Sequence, residues 1–148
     1  MTARVEAFLD TNVLVYSLVG DEPEKHSVAQ TLVARGFETG CFAVSTQVLL
    51  ELFVTATRKL TQPLSLTDAA ALISALSTWP VVPVTSELVQ KAVARSIRNR
   101  VSVWDACIVE AARVCGCRTV LSEDMAHGQS FEDIVIHDPF RPDAESLD

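Results

Sequence analysis

Apolar residues in this chain fall into two kinds of run. Short continuous blocks cover residues 5–9, 41–44, 81–84, 119–121 and 134–136, each bounded by polar or turn-forming residues. Blocks of that length without alternation read as strands buried on both faces of a parallel sheet. Between them apolar residues recur at helical spacing. Helices are expected from about Asn12, over residues 26–38 after a polar break at 20–25, from an N-cap at Ser45, over 66–78, 86–98 and 104–115. In the helix after Ser45, Leu49, Leu52, Phe53, Ala56 and Leu60 make the buried face, and Pro63 follows where it has stopped. Trp104, Ile108, Ala111, Ala112 and Cys115 share one side of the 104–115 helix, with Gly116 as its C′ residue. Pro80 and Pro83 mark the third strand as an edge. Strands alternating with helices predict an α/β fold, a three-layer α/β/α arrangement with a mainly parallel central sheet. We expect one domain over residues 1–138 and a loose, acidic C-terminal tail over 139–148.

Composition adds little to this until charge is considered. The formal net charge is −7 over 148 residues. Such a balance counts against broad phosphate neutralisation, but it permits a short RNA contact in which a divalent cation offsets the protein's own carboxylates. No basic leader feeds a long apolar segment, and the apolar runs are too short to span a bilayer, so a cytoplasmic protein is expected. The four cysteines, Cys41, Cys107, Cys115 and Cys117, lack the spacing of a zinc site and read as reduced thiols.

Four acids stand where solvated surface residues would not all be expected. Asp10 ends the first strand and Asp124 lies just past the fourth, so both reach the carboxyl rim where open α/β sheets bind ligands. Asp105 opens one helix and Glu51 lies one to two turns into another. Each has an ordinary explanation. Asp10 suits a helix cap in Asp10-Thr11-Asn12, Asp105 a capping box with Ser102, Glu51 a polar stripe with Gln47 and Thr55, and Asp124 a loop with Glu123. Together, four carboxylates from separate segments at one rim repel one another unless a cation joins them. An all-oxygen set selects Mg²⁺, or Mn²⁺, over zinc. Such an ion activates water and stabilises the charge that develops on a phosphodiester.

The residues that carry these acids resemble those of the PIN-domain ribonucleases, and within them the VapC-type toxins of toxin–antitoxin pairs. The matching segments are Phe8-Leu9-Asp10-Thr11-Asn12-Val13-Leu14-Val15-Tyr16, Ser45-Thr46-Gln47-Val48-Leu49-Leu50-Glu51, Val103-Trp104-Asp105-Ala106, and the stretch from Leu121-Ser122-Glu123-Asp124 to Gln129. The resemblance implies a PIN-like fold and metal-dependent cleavage of RNA by a homodimer that a small antitoxin protein inhibits. It puts Asp10, Glu51, Asp105 and Asp124 on the family's catalytic, metal-holding acids, with Thr11, Asn12 and Ser122 in support and Glu123 as an extra acid. It also implies a product with a 5′-phosphate and a 3′-hydroxyl. Arg58, Lys59, Arg95, Arg98 and Arg100 are candidates to hold RNA, the last three equally readable as a solvated helix face. Trp104 reads as a core residue first and a base-stacking one second. Two other readings stand beside this one: a PIN-like module that binds RNA or a partner without cutting, and a haloacid-dehalogenase-like phosphotransferase. The latter wants a second Asp where Asn12 stands.

Overall fold

The computed structural model describes residues 4–142. In chain order the elements are β1 (Ala7–Leu9), α1 (Thr11–Tyr16), α2 (Pro23–Thr39), β2 (Phe42–Ser45), α3 (Thr46–Val54), α4 (Leu66–Leu76), β3 (Val81–Val82), α5 (Ser86–Asn99), α6 (Val103–Val114), β4 (Thr119–Leu121), β5 (Ser130–Phe131) and β6 (Ile134–His137). The strands form one sheet in the order β3-β2-β1-β4-β6-β5, parallel except for β5. The expected α/β architecture is therefore present, with β3 at the edge where its flanking prolines put it.

Ala7, Phe8 and Leu9 of β1 are wholly buried, as are Phe42, Ala43 and Val44 of β2. Strands buried on both faces need helices on both sides, and the α/β connections supply them. From β1 the chain runs outward to β2 and β3, then crosses back to lay β4 on the other side of β1. The strand order reverses between β1 and β4, and the segments that follow them lead to opposite sides of the sheet, the arrangement that opens a crevice beyond their carboxyl ends. Register brings those ends level: Leu9 pairs with Leu121, and the Asp10 amide donates to the Leu121 carbonyl at 2.9 Å.

Several elements differ from expectation. Helix α2 begins at Pro23, because a proline at the first helical position loses no bond that the helix would have made. Beyond Val54 the α3 helix widens into a π turn over Thr55–Lys59. Strand β5 was not foreseen; two residues long, it folds back on β6 through Glu132 at φ 61°. Phe140, in the stretch expected to be loose, sets its ring 4.8 Å from that of Tyr16; residues 143–148 lie outside the described residues.

Two side chains depart further. Trp104 is 68 % exposed, not core: it shares a face with the buried Ile108 and Ala111 but sits in the first turn of α6, where it lines an open groove with Leu50 and Val89. Arg95 is 2 % exposed and is no RNA contact. Its Nε donates to Glu110 Oε1 at 2.6 Å, and its guanidinium lies 5.9 Å from the centre of the Phe131 ring. A buried arginine of this kind is held by its carboxylate partner and ties α5 to α6. Arg98 is exposed beside Glu132, at 3.6 Å.

Candidate active site

Asp10 is the residue at which β1 becomes α1, and its carboxylate is used on both oxygens. Oδ1 accepts from the Thr11 amide at 2.8 Å, which caps α1; Oδ2 accepts from Ser122 Oγ at 2.8 Å and from Asn12 Nδ2 at 3.0 Å. The capping reading of Asp10 is thus correct, and it occupies only half of the group. Ser122 is fully buried at the end of β4, so the two central strands each contribute one partner of this contact. Burial pushes the Asp10 carboxyl up to about 6 against these hydrogen bonds, with the charges of Glu51 and Asp124 adding to it.

Asn12 joins the second acid. Its Nδ2 lies 3.3 Å from Asp124 Oδ2, and its Oδ1 accepts from the Glu123 amide at 2.9 Å. A single neutral amide therefore donates to two carboxylates that would otherwise face each other. Glu51 joins from α3: Thr11 Oγ1 donates to Oε2 at 3.4 Å and Gln47 Nε2 to Oε1 at 2.7 Å. The polar ladder read from the sequence is half present, and it holds the acid over the rim. Thr11, Asn12, Tyr16, Glu51, Glu123 and Asp124 line a cavity of about 310 Å³.

Asp105 is placed less directly. Ser102 Oγ accepts from its amide at 3.0 Å, the capping bond expected for the start of α6. The carboxyl is half-buried and held above its ordinary range by that burial, with the charge of Asp124 adding to it. Asp105 is thus within electrostatic reach of the cluster without touching it. Glu123, the extra acid, is committed elsewhere: Tyr16 donates to it at 2.7 Å and Lys25 Nζ at 2.6 Å. The sequence offered no local signal for that trio, because Glu123 lies 107 residues from Tyr16 and 98 from Lys25.

The donor set suits a hard cation. Among the described residues no three Asp, Glu, His or Cys side chains close into a ready-made metal group. Mg²⁺ does not ask for one: it keeps several waters and is commonly held by one or two carboxylates and the substrate's own phosphate. Asp10 and Asp124, bridged by a donor amide and mutually repelling, provide that kind of pair.

Fold and site together define a parallel α/β domain with an acidic crevice at its switch point. A family model for the PIN domain matches residues 7–129. The chain belongs to the PIN-domain family. Similar solved structures include a toxin–antitoxin complex from Klebsiella pneumoniae, 19 % identical, with 90 % of this chain and 98 % of that one aligned at a TM-score of 0.64. VapC20 of Mycobacterium tuberculosis, a toxin that cleaves the sarcin–ricin loop, is 21 % identical over 80 % of this chain and 90 % of its own, at a TM-score of 0.63. The DNA-bound VapBC complex of Salmonella typhimurium is 18 % identical over 91 % and 98 %, at a TM-score of 0.62. At these identities the likeness is one of fold. No curated protein sequence matches the chain.

Proposed function

We propose that the chain is a Mg²⁺-dependent endoribonuclease, Mn²⁺ being able to substitute, and the toxin of a type II toxin–antitoxin pair acting in the cytoplasm. The observation that carries this reading is the Asp10–Asn12–Asp124 junction at the crevice between β1 and β4, two carboxylates held apart by one donor amide. Asp10, Glu51, Asp105 and Asp124 would hold the metal, which when bound supplies charge neutralisation and activation of the attacking water. The chain's own part is orientation. Ser122 and Thr11 fix Asp10, Gln47 and Thr11 fix Glu51, and Asn12 sets the spacing between Asp10 and Asp124. The hydroxyls of Ser122 and Thr11 donate to Asp10 and Glu51 rather than to a histidine that could activate them as nucleophiles, which favours direct hydrolysis to a 5′-phosphate and a 3′-hydroxyl. Asn12 donates to Asp10 where the phosphotransferase reading wants a second carboxylate, so that reading loses support.

The test is cleavage of a structured RNA by the purified chain. Cuts that need Mg²⁺ or Mn²⁺, stop in EDTA and leave 5′-phosphates are expected. RNA binding in EDTA without cleavage in Mg²⁺ would favour the non-cleaving module instead.

An exposed apolar face supports homodimerisation. Leu50 is 70 % exposed and Trp104 68 %, and both line a groove of about 530 Å³ with Val84, Val89 and Val103. Val93 and Ile97 continue the apolar line along α5. A patch of this kind marks an interface, and the groove borders Glu51. We assign it to the second copy, and place the antitoxin segment along α1 and the side of residues 47–60 that lies outside this groove. Leu50→Glu should shift the protein from dimer to monomer at micromolar concentration in sedimentation; wild-type protein that is itself a monomer there would remove the dimer from the proposal.

A further inference from the structure

The sequence Cys115-Gly116-Cys117 lies where α6 hands over to β4, some ten residues along the helix from Asp105 and outside the acidic cavity. Cys115 caps α6, and Gly116 follows at φ 76°, the left-handed region that suits glycine. The Gly116 amide donates to the Arg113 carbonyl at 3.1 Å and the Cys117 amide to the Ala112 carbonyl at 3.0 Å. Those two bonds together are the Schellman way of stopping a helix. The reversal at Gly116 brings the flanking side chains together, and Cys115 Sγ and Cys117 Sγ stand 2.8 Å apart. Two thiolates on one tetrahedral zinc ion would be about 3.8 Å apart, given metal–sulfur bonds of about 2.3 Å. The observed separation is too short for that and lies about 0.8 Å outside a covalent S–S bond.

We propose that Cys115 and Cys117 are a reversible redox pair, a covalent modification site that closes to an intrachain disulfide at the expense of low-molecular-weight disulfides. Their placement divides the labour. Cys115 is partly exposed, and its thiol is lowered to about 7, chiefly by the hydrogen bond with Cys117, so roughly half of it meets an incoming disulfide as thiolate near pH 7. Cys117 is 4 % exposed and its thiol is held up chiefly by that same contact with Cys115, a restraint that ends once Cys115 is tied into the mixed disulfide and so reserves Cys117 for the second step. In the first step the Cys115 sulfur attacks one sulfur of RSSR, forms Cys115–S–S–R and releases RS⁻. Cys117 then gives its proton to solvent, and its sulfur attacks Cys115 Sγ, displacing a second RS⁻. Two protein thiols are oxidised, one RSSR is reduced to two RSH, and no further reactant is needed. Cys41 and Cys107 are both buried and take no part.

The full-length chain incubated with glutathione disulfide provides the test, with acid quench, alkylation and trypsin cleavage. Trypsin cuts after Arg113 and Arg118, so both cysteines fall in one peptide. That peptide should lose all alkylation, be lighter by two hydrogens than its reduced form, and revert with dithiothreitol, while Cys41 and Cys107 stay alkylatable. Cys117→Ser should halt at a glutathione adduct on Cys115, and Cys115→Ser should give no adduct on Cys117. A stable glutathione adduct on wild-type Cys115, a disulfide between two chains, or a peptide left fully alkylated in excess oxidant would each overturn the proposal.

Discussion

Asp10→Asn should abolish RNA cleavage and at the same time raise the melting temperature of the metal-free protein. The Asp10 carboxyl, pushed up to about 6 from 3.8, is a group the fold prefers neutral. Its contribution to stability is present in full below the unfolded pKa and is lost as pH rises through about 6. At pH 7 the penalty is about 3 kcal/mol at most, a shift of roughly two units. Asparagine removes the charge but turns an amide toward Asn12 Nδ2, which donates at this position. The net gain is therefore smaller, about 1–2 kcal/mol, or roughly 3–6 °C in a domain of this size. The gain should shrink as pH falls from 6 toward 4 and vanish below about pH 3, where wild-type Asp10 is protonated in both states. Mg²⁺ should raise the wild-type melting temperature, since it binds the folded state alone, and barely move that of the variant. An equal metal response in both proteins would remove Asp10 from the metal site.

The contrast between the two halves of that junction shows what a sequence can carry. Strand β1 was readable because three consecutive buried residues stop at an acid, and β4 because the buried pair Val120 and Leu121 precedes Ser122 and Asp124. Both reflect burial on two faces, a local property. Strand β5 was not readable: two residues long, it exists through pairing with β6 and the reversal at Glu132. Arg95 and Trp104 misled for a related reason. Helical periodicity gives a face without saying what covers it. The arginine found Glu110 and Phe131 across the fold, while the tryptophan fell on a face that the described residues leave open. The four acids were legible as motifs, but their unequal roles were not. Asp10, Asn12 and Asp124 make a chain of direct contacts, whereas Asp105 reaches it only through the field of Asp124.

That difference makes Asp105 the acid whose two explanations most need separating. Its backbone amide is bonded to Ser102 Oγ at 3.0 Å, so position 105 takes part in the N-cap of α6 whatever its carboxylate does, and asparagine keeps that bond. The carboxylate itself gains from the helix dipole, an effect of about 0.3–1 kcal/mol, and loses by proximity to Asp124. Asp105→Asn should consequently change stability by about 1 kcal/mol or less. If the carboxylate serves the metal, turnover should fall by roughly a hundredfold or more, the scale on which removal of one electrostatic element from a preorganised site is felt. Ser102→Ala is the matched comparison. It deletes the acceptor for the Asp105 amide, should cost about 1 kcal/mol as a lost N-cap, and leaves every acid in place. Cleavage of a structured RNA in Mg²⁺, measured beside thermal melts, should show the asparagine variant stable and inactive and the alanine variant less stable and active. Near-wild-type cleavage by Asp105→Asn would reduce Asp105 to a capping residue and leave the metal to Asp10, Glu51 and Asp124.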